Sequence, residues 1–448
     1  MRKVAIFLLA LVPALFCGFL ATVNPTPVRA VPSYARQTGL PCGGCHYNPP
    51  ELNPAGRKFK LLGYVDKDPD KASAQIKDDA KKRHSALDLL SSLPLSVMFE
   101  TSFTSTNKPQ PGAQNGSFEF PQDVSLFLSG AWTTHIGSFA QITYNTQDDH
   151  FGIDNTDVRY ANKRNVKGKE FGYGLTLNNN PGLEDLWNDT PAWGYPWIAS
   201  DSAPTPTASP ILAGSLAQDV AGLGGYFMYD NHLYAAGTIY RSDHAGNPNP
   251  NAGVGYAYNI RGVAPYWRVA FQELTPKTQY EVGTFGMHMD SSPGAVVGLQ
   301  DQYTDYGADF QIDRTVVRKD VFSLRGTFIH EDSNLMATYA AGGANQPNHH
   351  LNTFLANAEY HYGNRLSGTL GWFDTGGTVD TLLFSQAAVS GSATGDPRGA
   401  GYIGNVSFWP MQNFQLAAQY TGYTRFNGGA NPNASANNTI YLLARFLF

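Results

Sequence analysis

From residue 96 to the C-terminus, apolar and polar residues alternate with a period of two, in segments of about ten residues separated by turn signals. Val124, Leu126, Leu128 and Trp132 share one face of such a segment against Asp123, Ser125, Ser129 and Thr133, with Phe127 the exception. Phe354, Ala356, Ala358, Tyr360 and Tyr362 alternate with Asn357, Glu359 and His361, and Ala308, Phe310 and Ile312 alternate with Asp309, Gln311 and Asp313. Phe414, Leu416, Ala418 and Tyr420 alternate with Gln415, Gln419 and Thr421. The last segment sets Ile440, Leu442, Ala444, Phe446 and Phe448 on one face. A soluble β-sandwich would bury its apolar face in a core and use shorter strands. The segment length and the terminal Phe on an alternating strand instead predict a mainly β fold, an outer-membrane β-barrel whose apolar face meets lipid.

About sixteen strands are expected. They begin near Ser96, Asp123, Ile136, Asp154, Lys169, Ala221, His232, Gly262, Thr278, Gln302, Lys319, His350, Asn364, Gly401, Gln412 and Asn438. Residues 96–448 then allow about 22 residues per strand and connection, a porin-like repeat. Short connections such as His135-Ile136-Gly137 and Tyr362-Gly363-Asn364 belong on the periplasmic side. Long ones, Asn178 to Val220, Ser333 to His349 and Thr375 to Arg398, are expected to face outside.

The first thirty residues break the pattern. Arg2 and Lys3 precede an apolar run from Val4 to Leu20, and Val28-Arg29-Ala30 has the small-residue spacing of a cleavage site, so residues 1–30 read as a secretory signal peptide. Pro13 and the Asn24–Pro27 stretch argue against a membrane anchor. Phe16, too bulky before a lipid-attachment cysteine, leaves Cys17 in the discarded segment.

The two remaining cysteines form one motif, Cys42-Gly43-Gly44-Cys45-His46, the C-x-x-C-H attachment sequence of a c-type heme. Thiols at this spacing reach two vinyl groups on one porphyrin edge, and His46 follows as the proximal iron ligand. A zinc site would need further ligands, and there is no second Cys pair. A thioredoxin-like pair would need a βαβ setting. A simple disulfide would leave His46 unexplained. Residues 31–95 are therefore expected to form a monoheme cytochrome c unit with a charged linker, holding one covalent heme c, and residues 96–448 the barrel. A unit of fewer than about sixty residues has a marginal core of its own, and the heme supplies apolar surface to pack around.

The sixth iron ligand is open. Between Tyr47 and Pro94 there is no Met, and His84 is the only His. His84 would give bis-His ligation, usually of lower potential than Met/His, but its Lys81-Lys82-Arg83 context also suits a solvated linker. Met98, just beyond the unit, is a second candidate whose plainer reading is a barrel-wall residue. A vacant or water-bound position is the third.

Composition narrows the picture. The chain has 42% hydrophobic, 13% aromatic and only 15% charged residues, and a net charge of −5. The aromatic content excludes a disordered chain, and the acidic balance excludes a general nucleic-acid binder. After residue 88 there are 18 basic and 29 acidic residues. An acidic lumen or mouth, to which Asp309, Asp313, Arg325, Glu359 and His361 would contribute, would concentrate cations. Exposed loop acids explain the same balance.

The stretch Tyr34-Ala35-Arg36-Gln37-Thr38-Gly39-Leu40-Pro41-Cys42 through Cys45-His46, followed by Pro50-Glu51-Leu52-Asn53 and Gly56-Arg57-Lys58-Phe59-Lys60-Leu61-Leu62-Gly63-Tyr64, resembles the fused porin–cytochrome c outer-membrane proteins of iron-oxidising bacteria. So does Asp185-Leu186-Trp187-Asn188-Asp189-Thr190-Pro191-Ala192-Trp193-Gly194-Tyr195-Pro196 in the longest connection. The resemblance spans the mature chain and implies an electron conduit, with Cys42, Cys45 and His46 at the heme-binding positions. It implies one-electron oxidation of extracellular Fe(II) and delivery to a periplasmic electron carrier. Two further readings stand: a conduit for another extracellular donor or acceptor, and a solute porin with a heme-bearing plug. The heme unit is expected in the barrel lumen or on the periplasmic side. Because electron tunnelling weakens steeply with distance, a unit acting on an outside donor would enter the lumen and approach the outer mouth, with Met98 and Glu100 as neighbours.

Overall fold

The computed structural model describes residues 33–65, 94–109, 115–147, 149–243, 258–293, 298–317, 319–384 and 394–448. The expected signal peptide with Cys17, and the charged run containing His84, lie outside the described residues. The described barrel wall has sixteen strands: β1 Leu95–Thr106, an interrupted β2 (Ser117–Glu119, Asp123–Leu128 and Gly130–Ala131), β3 Ile136–Asn145, β4 His150–Val166, β5 Lys169–Asn178, β6 Val220–Tyr229, β7 Leu233–Ser242, β8 Ala264–Leu274, β9 Thr278–Ser291, β10 Asp301–Thr315, β11 Val321–Asn334, β12 Asn348–Tyr362, β13 Leu366–Gly377, β14 Gly399–Met411, β15 Phe414–Arg425 and β16 Thr439–Leu447. Each pairs antiparallel with the next, and β1 pairs with β16 through Phe99–Phe446 and Glu100–Arg445, so the sheet closes on itself. Closure removes the unpaired edges that neither lipid nor an open sheet tolerates.

The strand starts expected from alternation fall within about four residues of those observed, with Asp123 opening the second piece of β2. Alternation works here because the two faces meet different solvents. Along β12, Phe354, Tyr360 and Tyr362 are 40%, 41% and 64% exposed on the outer wall, whereas Asn357, Glu359 and His361 are 4%, 1% and 2% exposed on the inner one. Apolar residues outside and buried polar residues inside are the inverse of a soluble protein. On β16 Ile440 is likewise 49% exposed, and Phe448, just past the strand, is 51% exposed.

Up-and-down topology gathers the short connections (167–168, 230–232, 275–277, 363–365 and 412–413) at one end of the barrel, and the long ones at the other. In outer-membrane barrels the short-turn end is periplasmic. Lys167 (φ 55°) and Gly168 (φ 84°) make one such hairpin, the paired left-handed conformation that matches the twist of the flanking strands.

The lumen is filled from both ends. Residues 33–65 form α1 (Ser33–Thr38), a 3₁₀ turn (Cys42–Gly44) and α2 (Pro54–Leu61) inside the wall. The Ser33 N–H donates to Ser96 Oγ (3.0 Å) and Tyr34 Oη to the Ser138 carbonyl (2.6 Å). The rings of Tyr34, Phe59 and Tyr64 cluster at centroid distances of 5.0–6.2 Å. The connection 179–219 leaves the wall at the long-loop end, as expected, and then folds inward. Its Leu183, Leu186, Trp187, Ile198, Ile211 and Leu216 are buried, and so much apolar surface is not stable in open water.

Three wall arginines hold the two inner segments. Arg159 donates to the Lys60 carbonyl (3.3 Å) and the Leu183 carbonyl (2.8 Å), and pairs with Asp157 (2.6 Å). Arg268 pairs with Asp185 (3.1 Å), Glu281 (3.1 Å) and Asp309 (2.6 Å). Arg325 pairs with Glu51, with Asp189 (3.3 Å) and with Asp313 (3.3 Å). Buried charges persist only when paired in this way.

Candidate functional site

The C-x-x-C-H motif folds as a tight turn. The N–H groups of Cys45 and His46 both donate to the Cys42 carbonyl, at 3.1 and 3.0 Å. Asn53 fixes this turn to α2: Oδ1 caps the helix by accepting from Ala55 and Gly56 (2.9 and 3.1 Å), while Nδ2 donates to the Gly44 carbonyl (3.1 Å). Gly56 lies so close beneath the Cys45 carbonyl that a β-carbon would collide with it. Cys42 and Cys45 are not joined in a disulfide.

Cys42 and His46 line a cleft of about 310 Å³ together with Pro41, Gly43, Tyr47, Pro49, Asn364, Arg365, Trp409, Pro410, Met411 and Gln412. Cys45 is not among the lining residues. The wall contributes the β12–β13 turn and the bend from β14 into β15, so the cleft lies at the short-turn end. The unit enters the lumen as expected, but the motif turn opens at this end and not at the outer mouth. α2 sits at the same end, with Lys58 paired to Glu170 (2.9 Å) beside the 167–168 turn and Tyr64 Oη donating to Asp157 (2.6 Å).

His46 Nδ1 lies 3.1 Å from the Glu51 carbonyl oxygen. A carbonyl only accepts, so Nδ1 carries the hydrogen. Burial pushes the imidazole pKa down to about 4, despite the Glu51 carbonyl favouring the charged form. The neutral ring then leaves Nε2 with a lone pair, the state and orientation a metal-ligating imidazole needs. Asn48, two residues on, is a junction: its Nδ2 donates to Glu359 (3.3 Å) and Ser367 (3.2 Å), and its Oδ1 accepts from Trp409 Nε1 (3.1 Å). Trp197 of the inner connection donates to the other Glu359 oxygen (3.2 Å). The motif is thereby fastened to the barrel wall and to the loop that fills it.

Two thiols three positions apart on a tight turn, followed by an imidazole anchored through Nδ1, are the donor set of a covalent c-type heme, and Cys42 and His46 of that set reach the cleft. Cys42, Cys45 and His46 would hold it. Met98 lies half-buried on the lumen face of β1, in register with Ser125 and Leu447, and does not line the cleft. The lumen positions Asp309, Asp313, Arg325, Glu359 and His361 are buried against the inner segments, as their alternation predicts.

No protein-family model matches the chain, and no curated protein matches it by sequence. Among solved structures it is similar to a loop L8 deletion mutant of OmpT, an outer membrane protein of Vibrio cholerae, at 10% identity over 79% of this chain and 98% of that one, with a TM-score of 0.43. It is similar to the outer membrane channel DcaP of Acinetobacter baumannii at 10% identity over 79% and 96%, TM-score 0.44. It is also similar to Salmonella typhi OmpF in complex with daunomycin, at 9% identity over 79% and 97%, TM-score 0.43. These likenesses extend to the fold alone. With its apolar outer face and closed antiparallel wall, the chain folds as a sixteen-stranded β-barrel of the kind that spans a membrane.

Proposed function

We propose that this protein moves electrons across the outer membrane, from an extracellular donor for which Fe(II) is the best fit to a periplasmic carrier. The observation that carries the reading is the meeting, in one cleft, of Cys42 with His46, whose Nδ1 lies 3.1 Å from the Glu51 carbonyl oxygen. When bound, heme c supplies a one-electron couple, the stoichiometry of Fe(II)/Fe(III).

The chain's own residues do the rest. Cys42 and Cys45 supply the thioether sulfurs. The Glu51 carbonyl fixes the His46 tautomer, and Arg325 holds Glu51. The cleft lies at the periplasmic end, within reach of a soluble carrier. The lumen carboxylates are held by buried partners: Glu51, Asp189 and Asp313 by Arg325, Asp313 also by Arg57, Asp185, Glu281 and Asp309 by Arg268, and Glu359 by His361.

A conduit for another donor or acceptor would use the same residues. A solute porin is supported by the barrel itself, but the packed residues 33–65 and 179–219 oppose free passage. The test is a proteoliposome holding an oxidised c-type cytochrome, with Fe(II) added outside. Reduction of the trapped cytochrome by heme-loaded protein is expected. Its absence, or equal reduction with a Cys42→Ser/Cys45→Ser variant, would contradict the proposal.

A further inference from the structure

We propose that the short-turn rim of the barrel docks the acidic face of a soluble redox protein over the cleft that Cys42 and His46 line. The proposal rests on the electron-transfer reading above and deepens it, naming the surface that meets the periplasmic carrier and the charge that the carrier presents.

The chain is acidic overall, with a net charge of −5, but its short-turn end is not. Of the five hairpins at that end between β4 and β13, four carry an exposed cation: Lys167, Lys277, Lys319 and Arg365. The fifth carries Asp230, which Lys169 neutralises (2.5 Å). The nearby strand-end acids are likewise matched, Glu170 by Lys58 (2.9 Å) and Glu273 by His232 (3.4 Å). Asp320 is the remaining carboxylate of these turns, and it accepts from the Gly363 N–H (2.9 Å) and from Tyr360 Oη (3.1 Å). No carboxylate of the described residues pairs with the four turn cations. Residues 66–93 carry six basic and six acidic side chains, so they leave the balance unchanged. Like charges gathered at one end repel each other and add nothing to the strand ladder. Their field attracts an anionic partner.

The partner is a protein and not a lipid headgroup. Lys167 stands at its hairpin tip, past the outward stack of Phe171, Tyr173 and Phe227 (centroid distances 5.7 Å). Aromatic girdles mark the lipid interface, so the tip is on the water side. Arg365 joins the rim to the cleft, because it lines the cleft together with Cys42 and His46. Redox encounters bury little surface, below about 1,200 Å². They depend on charge to bring the partners together quickly and let them part.

The test uses the full chain matured with heme, in detergent micelles, with folding checked by heat-modifiable gel mobility. The probes are two soluble c-type cytochromes of matched potential, one of acidic and one of basic isoelectric point. Binding is read by interferometry, and electron transfer from the reduced chain by stopped flow. The acidic probe should bind, about tenfold more weakly at high salt than at low salt, and the basic probe should not. Arg365→Glu should slow transfer to the acidic probe about tenfold. Lys167→Glu, eight strands away across the barrel, should slow it less. Reversing all four charges should shift the preference to the basic probe. Equal binding of both probes, or an Arg365→Glu variant that matches wild type, overturns the proposal. Equal losses from Arg365→Glu and Lys167→Glu overturn it as well, since they show attraction without a docking position. A fourfold reversal that weakens only retention in vesicles containing phosphatidylglycerol makes the rim a lipid contact and also overturns it. A folded chain without covalent heme that still binds the acidic probe keeps the surface and overturns the electron-transfer reading alone.

Discussion

His46 and Glu51 are joined between ring and main chain, Nδ1 donating to the carbonyl oxygen at 3.1 Å. The same Glu51 extends its carboxylate to Arg325 on the barrel wall. One residue thus orients the motif imidazole and ties it to the wall. The position of a metal-ligating ring is set by such outer partners as much as by the ligand itself.

Arg325→Leu should loosen this arrangement. Glu51, Asp189 and Asp313 would lose their shared cation in a buried setting, which typically costs about 3–5 kcal/mol. The strand ladder does not depend on Arg325, so heat-modifiable gel mobility should still report a folded barrel. Limited proteolysis should cut within residues 33–65 faster than in wild type. Unchanged protection would show that the pairing does not anchor the segment.

Gly56→Ala should lower the yield of covalent heme. Alanine is the better helix former by about 1 kcal/mol, so propensity alone predicts a gain. The added carbon would collide with the Cys45 carbonyl and lie 2.9 Å from Leu52 Cδ2, displacing the attachment turn. Heme per folded barrel, from pigment absorbance, decides between the two.

Lys60 gives a pH dependence. Burial, reinforced by the Arg159 charge, lowers its pKa from 10.5 to about 7, while its ammonium group donates to Asn188 Oδ1 (2.8 Å). With the folded pKa below the unfolded one, the unfolded chain binds more protons between about pH 7 and 10.5. Stability contributed at this site therefore rises with pH through that window. Below pH 7 the cost of burying the charge is fully present. Proteolytic protection of residues 33–65 should increase from pH 7 to 9, and Lys60→Met should flatten the trend. An equal slope in the variant would assign the effect elsewhere.

The filled lumen predicts poor permeability. Trp187 is 1% exposed and donates to Gln272 on the wall (3.2 Å). Liposomes carrying the protein should not swell in small sugars. Swelling at the rate of an open general porin would favour the solute-porin reading.

The wall was legible because lipid and lumen impose opposite polarity on successive residues, as at Tyr360 and Glu359. The motif was legible because its chemistry is local: Cys42, Cys45 and His46 lie within one turn. The inward course of residues 179–219 was not. Its Leu183 and Trp187 signal burial without saying against which surface, and only the third dimension sets them beside Arg159 and Tyr234.

Stopped-flow mixing of the purified, heme-loaded protein with Fe(II) tests the central claim most directly. The account predicts prompt reduction of the ferric heme. A ferric heme that stays oxidised in excess Fe(II), yet is reduced by a small chemical reductant, would contradict it.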